Sequence, residues 1–328
     1  MSPPESPEPS AAPKHRAAKG LITATALVAC FAGAALYLVP KVREFAGQRP
    51  RIEPVAFVAA IASYAAFAWA SSRQMRACLE ALGASTRRPY AVFTMATLGK
   101  YLPTKAMVPL LRARLTAAEG ASATVVVAAL GLEFVIGAVV GTWLGLLLTA
   151  HPIFGLPRLA AVAIGVIGPL VLAFAQRPVV VRGVRRAVEV VLARVPGGRR
   201  VLPELRPEHA VRAAAWAALS WLFGCASLVL SFHALGGGHG FELPIAGAFA
   251  LGSMIGYVAF VVPAGLGVRE ASLIGLLAPH LGAPLVAAAV LAQRVLSTAT
   301  ELIAGGLAAL WLAHQQRTAG PSGPKSGP

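Results

Sequence analysis

Charge is what this chain has least of. Only 13% of its 328 residues are charged, and 13 Asp and Glu stand against 29 Lys and Arg. Soluble domains carry roughly a quarter charged residues, so a chain this poor in charge cannot cover itself in water. Cysteine is nearly missing as well. Cys30, Cys78 and Cys225 are scattered with no C-x-x-C or Cys/His cluster, which argues against a disulfide framework and gives no expectation of a metal site. Enzyme signatures are also lacking: there is no G-x-S-x-G elbow, Walker A or H-E-x-x-H, and Gly265-Leu266-Gly267 is too short for a dinucleotide fingerprint. The glycine run 236–240 (GGGHG) has no nucleophile motif beside it and reads as a flexible linker, with His233 and His239 given no role. Neither enzymatic activity nor a cofactor is expected.

Hydrocarbon is what the chain has in abundance. Apolar residues make up 57% of it and the mean hydropathy is +0.69. The runs at 21–40, 54–72, 121–150, 156–176, 211–235 and 285–313 match the ~20 residues that a bilayer core requires. The first is full length and lacks a small-residue cleavage signature, so it reads as a retained span. The net charge of +16 is placed accordingly. Arginines 177, 182, 185, 186, 194, 199, 200, 206 and 212 crowd one segment, with Lys14, Arg16 and Lys19 before the first span. Short basic loops mark the cytoplasmic side and attract anionic headgroups, so nucleic acid is not the expected partner.

Two segments break the pattern. The first, residues 97–114, reads TLGKYLPTKAMVPLLRAR, with Gly99 and Pro103 as breakers and Lys100, Lys105 and Arg112 as charges. The second, residues 261–270, reads VVPAGLGVRE, with Pro263, Gly265 and Gly267 followed by Arg269 and Glu270. The first follows a short apolar stretch at 90–98; the second follows an apolar run and precedes the short apolar stretch at 271–281; each leads through a small-residue step to a long span. Pro103 to Gly120 is 17 positions and Pro263 to Gly282 is 19. Glu133 in one long span stands at a depth similar to that of Arg294 in the other, and Arg294, Ser297 or Thr298, and Glu301 share one helical face. Ionised groups at such depth cost at least ~2.5 kcal/mol on insertion scales, so they face a partner or water. Glu133 with Arg294 is one expected ion pair; a hydrophilic cavity is the functional alternative.

The spacing predicts an all-α polytopic membrane protein with about six full spans and two broken, re-entrant hairpins, eight or so hydrophobic helices in all. The organisation expected is a tail at 1–19, one transmembrane domain at 20–316 and a tail at 317–328. Within the domain, repeat A covers about 20–150, repeat B about 156–316, and 177–210 forms a basic cytoplasmic loop. With both termini cytoplasmic, the halves become inverted copies, a recurring plan for transporters. Broken backbone at membrane depth is tolerated only where it is buried in protein or lines a wet cavity. A helix starting near Val268 would place Glu270 at its positive end, leaving Arg269 to point elsewhere. Gly137, Gly141 and Gly145, and Gly252 with Gly256, follow the spacing of closely packed helices.

LGKYLPTKAMVPLLRARL with the Glu119-Gly120 step, VVPAGLGVREASLIGLLAPHLGAP and the Gln293-Arg294…Glu301 span together resemble the lysylphosphatidylglycerol synthase transmembrane family, the membrane region shared with the multiple peptide resistance factor. The resemblance covers roughly residues 20–315 and departs from the usual form at Thr104, where glycine is expected. It implies translocation of a phosphate-bearing lipid, anionic or polyprenyl-phosphate, in the plasma membrane. The chain ends eleven residues after Arg317, so no lipid-synthesising domain is expected. A glycosyltransferase or lipid-modifying enzyme is the protein partner implied, with accessory, scaffolding or regulatory roles as alternatives. The residues expected to meet the headgroup are Arg269, Glu270, Lys105, Arg112, Glu133, Arg294 and Glu301.

Overall fold

A computed structural model describes residues 39–48, 50, 52–101, 107–117, 119–175, 206–258 and 267–318. The two tails, the span at 21–40 apart from its last two residues, the loop arginines at 177–200, Pro103, Lys105, Pro263 and Gly265 lie outside the described residues. Among the described residues every regular element is helical. After a helical stretch at 39–47 come α1 (Pro54–Ala81), α2 (Pro89–Thr97), a short 3₁₀ turn (Leu98–Tyr101), α3 (Met107–Ala117), α4 (Ala123–Thr149), α5 (Arg158–Ala175), α6 (Pro207–Ala234), α7 (Glu242–Val258), α8 (Val268–Leu281) and α9 (Ala283–Thr318).

Local sequence explains the ends. Proline opens α1, α2 and α6, where its missing N–H costs nothing. Ser122 caps α4 by accepting from the Val125 N–H. Gly282, at φ 82°, ends α8 in the left-handed region that glycine alone adopts without strain.

α1 and α6 lie antiparallel along their length. Ser227 donates to the Ala60 carbonyl and Ser63 to the Phe223 carbonyl, and Arg212 meets Glu80 at one end. Hydroxyl-to-carbonyl bonds of this kind hold helices together where no water competes. One apolar core, with Leu228, Phe232, Ile245, Leu273, Leu277 and Val286, joins α6 through α9. A second, around Met75, Leu79, Val92 and Val126, joins α1, α2 and α4.

The helices on either side of each interruption pack together. α2 packs on α3, and α7 on α8. Gly99 sits where the arms of the first hairpin meet: a Cβ there would lie 3.0 Å from the Met107 and Val108 backbone. The glycine stripes are contact lines too. A Cβ on Gly141 would come 2.5 Å from the Trp221 ring, and one on Gly145 2.7 Å from Leu251.

The outer surface is hydrocarbon. Val55, Leu159, Val162, Leu307 and Leu310 are each more than 60% exposed, which a soluble fold does not tolerate over so wide an area. Within α4, the most apolar helix, only 17% of the central window is buried by protein. Pro54–Ala81, Ala123–Thr149, Glu208–Ala234 and Ala283–Gln315 are each long and apolar enough to cross a membrane. The molecule is a polytopic helical membrane protein.

Candidate functional site

A cavity of about 530 Å³ lies inside the bundle, walled by α1, α2, α3, α4, α6, α7, α8 and α9. Lys100, Arg112, Arg269 and Arg294 reach its wall, with Glu133 and Glu301. These charges come from the two hairpins and from the long helix that follows each.

Three of the four cations are matched by a carboxylate. Arg112 Nη1 donates to Glu133 Oε2 at 2.6 Å and Nη2 to Oε1 at 3.3 Å, a two-pronged pair whose side chains are 6% and 17% exposed. The Arg112 guanidinium also stacks 5.3 Å from the Phe93 ring centre. Lys100 donates to Glu301 at 2.6 Å, and the hydroxyls of Tyr64 and Tyr101 donate to the same carboxylate. Arg294 Nη1 stands 3.7 Å from Glu270 Oε1, while Glu270 Oε2 accepts from the Gly267 N–H at 2.8 Å. Such pairing lets carboxylates persist in a low dielectric, because breaking one strands the other.

Arg269 is different. Among the described residues it meets no carboxylate within ion-pair distance. Its Nη2 donates to the Gln293 amide oxygen at 3.0 Å and its guanidinium lies 4.9 Å from the Phe249 ring centre. Its Nε has no hydrogen-bond partner among the described residues, nor do Arg112 Nε and Arg294 Nη2. The cavity wall is therefore electropositive at one point, with donor capacity left over. A planar fork of donors at such a point suits an anion with two oxygens to offer.

Of the expected site residues, Arg112, Glu133, Arg269, Arg294 and Glu301 line this one cavity. Glu270 stands behind Arg294 and caps α8, as its place in the first turn requires. Lys105 is outside the described residues. The pairing differs from expectation: Glu133 takes Arg112 and Arg294 takes Glu270 rather than each other, while Lys100 beside the first break takes Glu301 on α9. The sequence reading missed the part played by Lys100, Tyr64, Tyr101, Gln293 and Phe249. Lys100 and Tyr101 flank the first break within LGKYLP, which was their signal; Tyr64 and Phe249 sit in apolar runs and carried none.

The cavity reaches the lipid-facing surface on one side. Phe134 on α4 and Tyr257 on α7 both line it, yet are 44% and 54% exposed. Their rings meet edge-on at 6.5 Å. Further along, the two helices close up where Gly145 faces Leu251 and Gly247 faces Leu148.

A family model described as Lysylphosphatidylglycerol synthase TM region matches residues 17–305. Neither a curated protein nor a solved structure matches the chain.

Proposed function

Since the chain belongs to the lysylphosphatidylglycerol synthase transmembrane-region family, a membrane domain linked to lipid handling, we propose that it moves a phosphate-bearing lipid across the bilayer without hydrolysing nucleotide. The observation that carries this reading is Arg269, a half-buried guanidinium with no carboxylate within ion-pair distance among the described residues, in the wall of the cavity. A phosphodiester supplies the negative charge and paired oxygens that this wall lacks. The acyl chains stay in the bilayer, passing between Phe134 and Tyr257 while the headgroup crosses the polar interior.

The pattern of ion pairs supports an inverted repeat. Arg112 follows the first break and pairs with Glu133 on the next long helix; Glu270 follows the second break and pairs with Arg294 on its long helix. The two halves are thus matched in position and opposite in sign. In this scheme both termini are cytoplasmic and the membrane is the plasma membrane. Two hairpins entering from opposite faces supply the two half-barriers that alternating access needs.

Reconstitution tests the proposal. Vesicles carrying the purified protein and fluorescent phosphatidylglycerol should equilibrate the label between leaflets faster than empty vesicles, with polyprenyl phosphate and phosphatidylcholine as comparison lipids. Equal rates with and without protein for every lipid would remove the translocation reading, leaving membrane and family assignments intact.

A further inference from the structure

At the end of α6 remote from Arg206, three side chains outside the cavity converge. The donor atoms of His233, His239 and Glu242 all lie within 4.8 Å of one another. His233 closes α6, Glu242 opens α7, and His239 stands on the glycine turn between them. That turn is not slack. A Cβ on Gly237 would lie 2.5 Å from Leu285, and one on Gly238, whose φ is 80°, 2.9 Å from Ile245 and Phe232. The turn is moulded against the core and delivers His239 onto His233, ring centres 4.5 Å apart and planes 20° from parallel.

The geometry points to a site for a divalent transition cation of the zinc type, held by His233, His239 and Glu242 with water completing the shell. His233 Nε2 stands 3.4 Å from Glu242 Oε1. Two ligands each ~2.0–2.1 Å from a tetrahedral ion are about 3.3–3.4 Å apart, so this pair already has the separation that zinc imposes. His233 Nε2 is buried and faces that carboxylate oxygen. His239 is exposed, so its ring can turn the remaining distance by giving up its stack on His233. Gly240 donates its N–H to the same Glu242 Oε1 at 2.9 Å, which fixes that oxygen in place.

The donor set selects the ion. Two imidazoles and one carboxylate suit zinc, copper or nickel and are a poor offer to magnesium or calcium, which want oxygen shells. The carboxyl of Glu242 is held below the usual range by its own backbone N–H and that of Gly240. No spacing motif announces the site, because its ligands are gathered by a turn of seven residues that is neither a helix face nor a known zinc loop. A cation here joins the end of α6 to the start of α7, whose far end carries Tyr257 at the cavity.

The test is calorimetric titration of the full chain, purified in detergent through a histidine-free tag and stripped with chelator. Zinc chloride should bind saturably near one equivalent at pH 7.5, and magnesium and calcium chloride should not. His239→Ala, at an exposed position, should lower zinc affinity at least tenfold, as should Glu242→Gln, while His151→Ala leaves it unchanged. Zinc should raise the melting temperature of the wild type and not that of His239→Ala. Absence of saturable zinc uptake, or equal affinity in His239→Ala and wild type, would overturn the assignment and leave an ordinary His–Glu contact.

Discussion

Arg269 and Glu270 are neighbours in sequence and opposites in duty, and the difference is measurable. Arg269 faces the cavity, so Arg269→Lys keeps the charge but loses the two-pronged geometry, and lipid scrambling in vesicles should slow with expression intact. Arg269→Ala should be slower still. Glu270→Gln should act on stability: it weakens the cap on Gly267 and the contact with Arg294, and the helix-end part is worth a few tenths to ~1 kcal/mol. A Glu270→Gln protein that scrambles worse than Arg269→Ala would reverse these roles. For the Arg112–Glu133 pair the expectation is larger. Glu133→Leu leaves Arg112 buried without its partner and should cost about 3–5 kcal/mol in detergent unfolding. Arg112→Met combined with Glu133→Leu should recover much of that loss. Full stability of Glu133→Leu alone would show that Arg112 reaches water. At this scale the sequence was legible wherever an ionisable residue stood in an apolar run, because the bilayer makes each such residue conspicuous. Partners were less legible: helical periodicity gives a face, whereas pairing depends on which helix lies opposite. That is why Glu133 had been matched to Arg294 and why Lys100 was overlooked for Lys105.

The elements themselves were readable from hydropathy and breakers. The expected start near Val268 is the observed one, because Gly267 and Glu270 together form its N-terminal cap. The boundary of α9 was set too short: the helix runs over Ala283–Thr318, about 54 Å at 1.5 Å per residue. Its last turns carry polar residues that hydropathy assigns to a tail, although nothing in them stops a helix. The linker at 236–240 was misread as flexible, since glycine marks close packing as readily as freedom. The same ambiguity yields a paired test in α4. Gly141→Ala drives a methyl into the Trp221 ring and should destabilise by about 1–3 kcal/mol. Gly131→Ala meets nothing within 4 Å and should be neutral or stabilising by up to ~1 kcal/mol. Melting temperatures in one detergent separate them; equal shifts would mean that α4 is not held against α6 as described.

For the molecule as a whole, membrane class followed from composition. Disposition across the bilayer depends on loop charge and is a matter for labelling. Single cysteines introduced at Thr104 and Ala264, in a background without the native cysteines, should react with impermeant maleimide from opposite faces of sealed vesicles. Reaction of both from one face would refute the inverted arrangement. The crossing of α4 and α7 has a mechanical consequence. Backbones touching at Gly145 and Gly247 cannot slide past each other, because Leu251 and Leu148 key into the gaps left by the missing side chains. They can still swing. The contact is a fulcrum, and Phe134 with Tyr257 sits out along the lever, about 16 Å from the glycines at 1.5 Å per residue, so a tilt of a few degrees at the glycines shifts the rings by about 1 Å.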